Sequence, residues 1–338
     1  MTLAKRKITM ETIARELGIT KVTVSKALNN QPGVGPDLKK KIVDTAQALG
    51  YIGRKAERGG PAVSKLGLVV PKRFFLDTDS FYTRIYYYMN QECAQKQINL
   101  ALYILDPDDE KALALPPLLQ MEQADLSGLF MAGEVESEYM KMLLKLPIPI
   151  VAVDFYKSDV SCDCVVTDNY TSGYDATVHL IERGHKEIGF VGNPNYTSSV
   201  MDRFCGYFKA MTRYGLECRK EWQIANNDES SGYQIDFTFP ERLPTAYICR
   251  CDLVAHRLIQ RLQANGVAVP EQVSVVSFDN TELSQSVVPA LTTMDISKSA
   301  FATKAISRML WRISHPNDEM QTVYIKTKLI ERDTVKSI

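Results

Sequence analysis

The stretch ITMETIARELGITKVTVSKALN, residues 8–29, predicts two short helices joined by a tight turn. Thr9 is suited to cap the first helix, whose apolar residues recur at three- and four-residue spacing. Gly18 stands where a helix can end in the left-handed conformation, and Thr20 can cap a second helix that runs to about Leu28. Helix, glycine turn and helix form the helix-turn-helix pattern, although any small helical hairpin with a glycine turn has a similar sequence.

The second of these helices has a polar face that does not pack against the first helix. Val24, Ala27 and Leu28 lie on one side and can pack against the first helix. In helix-turn-helix proteins the second helix enters the major groove of DNA, where its polar side chains contact bases and phosphates. The expected DNA contacts are Lys21, Val22 and Lys26 at base edges, Thr20, Thr23, Ser25 and Asn29 at phosphates, and Thr9 on the same surface.

Positive charge is concentrated at the start of the chain. The whole chain has 40 basic and 40 acidic residues, but residues 1–60 contain twelve lysines and arginines against five acidic residues, a net charge of +7. A basic module of this kind neutralises DNA phosphates and releases their counterions. The charge therefore favours a DNA-reading unit over a purely structural hairpin. It also adds Arg54, Lys55 and Arg58 to the expected DNA contacts.

Length and composition predict a multidomain protein of the cytoplasm. At 338 residues the chain exceeds one ordinary core and predicts about two or three domains. It has no apolar run of about eighteen residues and no signal-peptide pattern, so we expect no membrane partner. Seven cysteines, none in a zinc-like CxxC pair, suit a reducing compartment. Cys162/Cys164 and Cys249/Cys251 alternate as strand residues do, which predicts buried thiols rather than metal ligands.

From Lys65 onward, short apolar runs alternate with amphipathic helical patterns. Runs such as LGLVV and VSVVSFD are typical of buried parallel strands in α/β layers. The series divides near Val160, which predicts two doubly wound lobes of similar size. In such sheets ligands bind beyond the carboxyl ends of the strands, so a two-lobed protein is expected to hold a ligand in the cleft between its lobes. The main helices are expected near 81–96, 169–183, 200–214 and 252–265.

Several motifs connect both parts of the chain to one known family. The stretch TIARELGITKVTVSKALNNQPGVGPDLKKKIVDTAQALGY keeps a T-V-S segment, an L-N pair and a closing L-G-Y at the spacing of a repressor headpiece. Further along, TDNYTSGYDATVHLIERGHKEIGFVG, DRFCGYFKA, GVAVPEQVSVVSFDN and PALTTMDIS are similar to the effector domain of the same proteins. The chain thus resembles the LacI/GalR family of bacterial transcription regulators over nearly its whole length. The family usually has arginine where this chain has Lys26.

The resemblance implies an all-α helix-turn-helix headpiece followed by an α/β, two-lobed, periplasmic-binding-protein-like effector domain with doubly wound parallel sheets. We assign the headpiece to residues 1–53, the hinge to residues 54–65, and the effector-binding and dimerisation domain to residues 66–338. Within that domain the expected N-lobe comprises about 66–160 and 294–322, and the expected C-lobe about 161–290 and 323–332.

The resemblance also implies where an effector binds. Asp154, Arg203 and Asp279 fall where the family places polar contacts to a bound sugar or purine. An arginine and two carboxylates can bracket several hydroxyl groups at once. The alternative is that both aspartates only end strands and pair with neighbouring residues.

Three further residues belong to the expected effector site. The pair Phe81 and Tyr82 resembles an aromatic segment of the family. Asp252 follows Cys251, where the family often has asparagine, and this departure weakens the expected contact. The inserted Phe74 and Phe75 are interpreted as packing residues or as part of the mouth of the cleft.

The joint RKAERGGPAVSK, residues 54–65, departs most from the family. Family members usually carry a helix here that inserts a leucine into the minor groove and kinks the DNA. In this chain the matching position is glycine, and a Gly-Gly-Pro sequence would end a helix after about one turn. We expect a basic, flexible tether. The alternative is a helix shifted in register that inserts Ala62 or Val63.

Taken together, these features predict a homodimeric, DNA-binding transcription regulator, a repressor, with a near-palindromic operator. A small-molecule effector, a sugar or sugar derivative, is expected to control it, without a cofactor or metal. One alternative is a sugar receptor with no DNA role, although such a receptor would carry a signal peptide and no basic headpiece. An α/β enzyme is a weaker alternative, because the chain contains neither a phosphate-binding glycine loop nor a nucleophile elbow.

Overall fold

The computed structural model describes residues 9–28, 33–48, 63–75, 80–225 and 238–338. Tertiary contacts divide the chain into two compact units, Met1–Ala62 and Val63–Ile338. Among the expected DNA contacts, Asn29, Arg54, Lys55 and Arg58 lie outside the described residues, as does the joint up to residue 62.

The first unit contains three helices: α1 (Met10–Leu17), α2 (Lys21–Leu28) and α3 (Pro36–Ala48). Thr9 caps α1 as predicted, and its hydroxyl accepts from the backbone N–H of Thr12 while the Thr12 hydroxyl accepts from the Thr9 N–H. Gly18 adopts φ 64° and ends α1 in the left-handed conformation. The small core of this unit is formed by Ile13, Ala14, Val24, Ala27, Ile42 and Ala46.

The second unit alternates strands and helices. Its strands are β1 (Lys65–Pro71), β2 (Asn99–Leu105), β3 (Leu129–Ala132), β4 (Ile150–Val153), β5 (Asp163–Thr167), β6 (Ile188–Val191), β7 (Gln223–Ile224), β8 (Ala246–Cys249), β9 (Ser274–Asp279), β10 (Thr292–Asp295), β11 (Thr322–Ile325) and β12 (Lys328–Ile330). Its helices are α4 (Phe81–Gln95), α5 (Pro107–Lys111), α6 (Pro117–Glu122), α7 (Ser137–Leu143), α8 (Asn169–Glu182), α9 (Ser198–Arg213), α10 (Asp252–Ala264), α11 (Glu282–Ser286) and α12 (Lys298–Ser314).

The strands form two sheets, one in each lobe. The first lobe has the order β11-β5-β4-β3-β1-β2, and all its pairs are parallel. The second lobe has the order β12-β10-β9-β8-β6-β7, in which only the pairing of β12 with β10 is antiparallel among the described strands. This doubly wound architecture, and the four main helices, agree with the predictions from periodicity.

The lobe boundaries differ from the predicted ones. Strand β5 pairs with β4 and β11 in the first sheet, so the first crossing between lobes follows Thr167 rather than Val160. Strand β10 belongs to the second sheet, although residues 294–322 were predicted to belong to the first lobe. The chain returns to the first lobe later, at α12, and remains there through β11. The reason is physical: strands buried on both faces have no periodicity that identifies their sheet. The predicted hinge is also too long, because Lys65 already begins β1 and Val63 packs against the core of the first lobe.

Helices α8 and α9 pack side by side on the second lobe at the distance of backbone contact. A Cβ atom added to Gly173 of α8 would overlap the carbonyl group of Arg203 in α9. A Cβ atom added to Gly206 of α9 would likewise overlap the carbonyl oxygen of Tyr170 in α8. Glycine at both positions therefore permits the helices to approach this closely, and α9 carries a residue of the candidate site.

The cysteines of both alternating pairs are buried, as predicted. Across the described residues, no helix combines the length and the apolar character that a membrane span requires.

Candidate functional site

The two lobes of the second unit face each other across a cavity, here called the central cavity. The first lobe contributes three aromatic residues and one aspartate, and the second lobe contributes most of the polar groups. The lining residues are Phe74, Phe81, Tyr82 and Asp154 from the first lobe and Thr197, Ser199, Val200, Arg203, Arg250, Cys251 and Asp279 from the second. The structure thus brings together five of the six predicted effector residues.

Arg203 of α9 is held in the central cavity by several contacts. Its Nε donates to Oδ1 of Asn169 at 2.8 Å, and its Nη1 donates to the carbonyl oxygen of Arg250. Its Nη2 lies 3.4 Å from Oδ1 of Asp279, and the guanidinium stacks over the ring of Phe278 with 4.5 Å to the centroid. Arg203 is 5% exposed, and these contacts fix the orientation of its guanidinium before any ligand arrives.

Asp154 of the first lobe lies opposite, directly after β4. Its Oδ2 accepts a hydrogen bond of 2.8 Å from the hydroxyl of Tyr82, whereas its buried Oδ1 has no hydrogen-bond partner among the described residues. Burial raises the pKa of Asp154 to about 7, although the nearby Arg203 and the Tyr82 hydroxyl both act to lower it. An unpaired, buried carboxylate oxygen is costly, and a donor on a ligand would relieve that cost.

Both aspartates of the cavity have a left-handed backbone: φ is 70° at Asp154 and 103° at Asp279. Residues other than glycine adopt such conformations rarely, and those that do cluster at ligand sites. Asp279 ends β9, and its position at the carboxyl end of a parallel strand is the one that the sequence predicts.

The structure places Asp252, a predicted effector contact, away from the central cavity. Asp252 is fully buried at the start of α10 and does not line the central cavity. Its Oδ1 accepts from the hydroxyls of Ser277 and Thr293, and its Oδ2 accepts from the N–H and hydroxyl of Thr281. With four donors, this carboxylate is already saturated by its own lobe and connects α10 to β9 and β10.

Sequence reasoning missed several residues of the cavity wall. Arg250 and Cys251 directly follow β8, and their place at the carboxyl end of a parallel strand was a signal that could have identified them. Thr197 and Ser199 belong to the first turn of α9 and had no such signal. Phe74, left open between packing and the cleft, lines the cavity.

Polar contacts join the two lobes. Arg84 of α4 forms an ion pair with Glu282 of α11. The hydroxyl of Tyr156 donates to Oδ1 of Asp202 at 2.9 Å, and the N–H of Ser198 donates to Glu134 at 2.5 Å. These contacts must break if the lobes separate.

In the first unit, α2 presents an exposed polar surface. Lys21, Val22 and Lys26 are exposed, and Val22 is 64% exposed although it is apolar. An exposed valine on a folded helix is suited to contact the methyl group of thymine in a major groove. The hydroxyl of Thr20 accepts from the N–H of Thr23 at 3.1 Å, so it caps α2.

The remaining predicted contacts of this unit also lie on or near its surface. Thr9 is exposed, and Thr23 and Ser25 are half-buried. Lys21 lies 3.2 Å from Glu11 in an ion pair between two exposed side chains. Such a pair contributes little to stability, so Lys21 can exchange it for DNA.

Comparisons with known proteins find similarity to a ligand-binding domain and to bacterial repressors. Residues 177–335 match the model of a periplasmic binding protein-like domain. The HTH-type transcriptional repressor PurR of Actinobacillus pleuropneumoniae serotype 3 is 28% identical over 337 residues, which cover 98% of this chain and 99% of that protein.

Two solved structures extend the likeness to nearly the whole chain. The transcriptional regulator CelR in complex with cellobiose has a TM-score of 0.68 at 21% identity, covering 97% of this chain and 99% of that one. The lac repressor dimer bound to operator and the anti-inducer ONPF has a TM-score of 0.67 at 18% identity, covering 98% of this chain and 100% of that one.

A helix-turn-helix unit and a two-lobed, periplasmic-binding-protein-like unit in one chain define a class of DNA-binding protein with a ligand-binding domain. The chain is similar in sequence and fold to transcriptional regulators of the LacI/GalR family, the family that its sequence motifs resemble. The relatives named here are transcriptional repressors and regulators. No cluster of metal-binding side chains occurs in the ranges that the structure describes.

Proposed function

We propose that this protein is a homodimeric transcriptional repressor whose operator affinity is controlled by a sugar or sugar derivative bound in the central cavity. The main support is the unpaired Oδ1 of Asp154, a residue that lines the central cavity together with a fixed arginine and Asp279. Hydroxyl groups both donate and accept hydrogen bonds, so a polyol can donate to the carboxylates and accept from Arg203. Asp252 is not part of this proposal.

The effector acts, in this proposal, by changing how the two lobes are arranged. The central cavity has a volume of about 40 Å³, which is room for about three water molecules. A sugar ring therefore requires the lobes to separate, at the expense of contacts such as Arg84–Glu282. A ligand that binds one lobe arrangement better than another shifts the population between them, and this shift is what would change operator affinity.

Loss of the Arg203 guanidinium tests the effector site. A thermal-shift screen of sugars, sugar acids and phosphosugars identifies a ligand, since ligand at about one hundred times its Kd adds ~2.7 kcal/mol of stability. Calorimetry with Arg203→Ala should then show no binding, while operator binding without effector persists. Arg213→Ala, on the last turn of the same helix, is the matched control and should bind as the wild type does.

Because Arg203 is buried against Asp279, the alanine variant also loses an internal contact. Its circular dichroism and melting temperature must therefore be measured alongside. A folded Arg203→Ala protein with wild-type effector affinity would remove Arg203 from the site.

The operator-binding surface is proposed to be α2 of two protomers related by twofold symmetry. Replacing Lys26 with alanine should cost ~1–3 kcal/mol and relax the preference at one base pair of each half-site. Selection of sites from random DNA measures this preference, and the selected wild-type site should be a near-palindrome. Lys304→Ala, at an exposed position of α12, serves as the matched control. Unchanged sequence preference in Lys26→Ala would exclude Lys26 from base contact.

The joint, now limited to residues 54–62, is proposed to act as a basic tether. The three basic residues of the joint, Arg54, Lys55 and Arg58, would contact phosphates without a leucine wedge. Asn29 of the headpiece is proposed as a separate phosphate contact. A circular-permutation assay on the operator should then show little bending, and binding should weaken steeply with salt. A strong bend that Ala62→Gly abolishes would support the inserted helix instead.

A further inference from the structure

A second and larger cavity adjoins the central one on the side of Glu134 and Lys157. It has a volume of about 550 Å³ and is here called the outer cavity. Small-molecule sites usually have volumes of roughly 300–1,000 Å³, so the outer cavity is in that range and the central cavity is not. Both lobes contribute to it, with Arg73, Glu110 and Lys157 from the first and Asn193, Asn195 and Tyr196 from the second.

Two aromatic side chains lie where the outer cavity meets the central one. Phe74 lines both cavities, and its ring lies 6.2 Å from that of Tyr196 in an edge-on arrangement. Tyr196 lines the outer cavity, while its chain neighbour Thr197 lines the central one. A ligand longer than one ring can therefore extend from one cavity to the other along these two aromatic side chains.

The charged side chains around the outer cavity are equal in number. They are three cations, Arg73, Lys111 and Lys157, and three carboxylates, Glu110, Glu134 and Glu136. Arg73 contacts both carboxylate oxygens of Glu110, and Lys157 lies 2.8 Å from Glu134. A charged ligand would compete with these two ion pairs, whereas an uncharged ligand would not.

The side chains that line the outer cavity further restrict the class of ligand that it can bind. Phe74 and Tyr196 offer apolar contact, and the ion pairs and the side chains of Asn193 and Asn195 offer hydrogen bonds. This combination suits a ring that carries several hydroxyl groups, because each hydroxyl needs a partner and each ring face needs apolar contact.

We propose that the outer cavity is a second sugar subsite, so that the effector is an uncharged disaccharide or glycoside with one unit in each cavity. The inference rests on the proposed function of the central cavity. Arg203, Asp154 and Asp279 hold the first unit, and Phe74 and Tyr196 contact the second. A monosaccharide reaches only the central cavity and binds more weakly.

Calorimetry on the full-length protein tests this proposal with four disaccharides (cellobiose, maltose, lactose and sucrose) and their constituent monosaccharides. At least one disaccharide should bind ~10-fold or more tightly than either of its units. Asn195→Trp places a large side chain in the outer cavity at an exposed position and should remove that advantage without weakening monosaccharide binding. Asn317→Trp, also exposed, is the matched control and should change neither affinity.

Tyr196→Ala is a second variant, which removes an aromatic side chain from the wall of the outer cavity instead of filling the cavity. The exposed Tyr214→Ala is its control. Tyr196→Ala should lower disaccharide affinity more than monosaccharide affinity; a smaller effect on monosaccharides is expected because the Tyr196 ring also lies against Arg250 of the central cavity. Monosaccharides that bind as tightly as every disaccharide would overturn the two-unit effector but leave the proposed function intact. A disaccharide advantage that survives both Asn195→Trp and Tyr196→Ala would overturn the location. If no sugar of either size binds, both the inference and the sugar effector fail.

Discussion

The surroundings of Asp154 and Asp252 make an instructive comparison, because the sequence predicts the same role for both. Each aspartate is buried, and burial raises the pKa of each carboxyl group above its usual range. Asp252, however, accepts four hydrogen bonds within its own lobe, whereas Asp154 accepts one and keeps an unpaired oxygen at the central cavity. Burial and a raised pKa are thus shared by a structural and a candidate binding carboxylate, and hydrogen-bond satisfaction separates them.

The largest expected effect is the loss of stability in Asp252→Ala. This change leaves the donors of Ser277, Thr281 and Thr293 buried without their acceptor, which should cost about 3–5 kcal/mol. Urea denaturation followed by circular dichroism measures the loss, with the exposed Asp125→Ala as control. A change of less than about 1 kcal/mol would show that Asp252 is not the structural member of the comparison.

The second-largest expected effect is a pH dependence of the unfolding free energy that comes from the ionisation of Asp154. In the folded protein the Asp154 carboxyl group keeps its proton up to a pKa of about 7. The stabilisation that this bound proton provides is complete below the ordinary carboxyl pKa. That contribution is lost as the pH rises towards 7. Relative to wild type, Asp154→Asn should therefore gain stability with rising pH, by at most ~1.4 kcal/mol per pH unit.

Urea denaturation of both proteins between about pH 5 and about pH 8 measures this difference. Parallel stability curves for wild type and Asp154→Asn would contradict a raised pKa at this carboxyl group. At a pH above about 7, where Asp154 is ionised, the same variant should bind a sugar effector more weakly, because an amide accepts hydrogen bonds less strongly than a carboxylate.

A smaller effect is expected from Thr293→Val, which removes one of the four donors to Asp252 at nearly constant volume. The unfolding free energy should fall by about 1 kcal/mol, since three hydrogen bonds to the carboxylate remain. Effector affinity should not change, because Thr293 does not line the central cavity. A loss of effector affinity without loss of stability would reverse the roles assigned to the two regions.

The smallest effect on stability is expected from Tyr82→Phe, which removes the hydroxyl donor to Asp154. This donor holds the pKa of Asp154 down, so the pH at which the carboxyl group ionises should rise in the variant. The pH dependence of stability, compared with that of wild type, reports this shift. An unchanged midpoint together with unchanged effector affinity would show that the Tyr82 hydroxyl does not act on Asp154.

Much of the fold was predictable because local signals agree with the tertiary structure. The glycine turn at Gly18 and the apolar spacing of α1 and α2 specify the helix-turn-helix unit within about twenty residues. The α/β alternation predicted the main strands and helices of the second unit. The lobe crossings were not predictable, because buried parallel strands such as β5 look alike in sequence whichever sheet they join.

The candidate site was predictable where it follows strand ends and motif matches. Asp154 and Asp279 follow or end parallel strands, and both reach the central cavity. Asp252 follows β8 in the same way but turns into its own lobe, where hydroxyl groups from β9 and β10 saturate it. No local pattern reveals such partners, because they are distant in sequence. Hydrogen bonds between residues that are far apart in sequence therefore became visible only in the structure.

The glycine contact between α8 and α9 determines how deep Arg203 sits. Gly173 touches the backbone carbonyl of Arg203 itself, so a methyl group there would have to push α9 away from α8. The guanidinium would move with the helix and would leave its distances to Asn169 and Asp279. If Arg203 holds the effector as proposed, the effector's affinity is governed partly by a residue that lies outside the cavity wall. A search for specificity changes restricted to the cavity wall would overlook Gly173, where the addition of one carbon atom repositions the charge that the ligand meets.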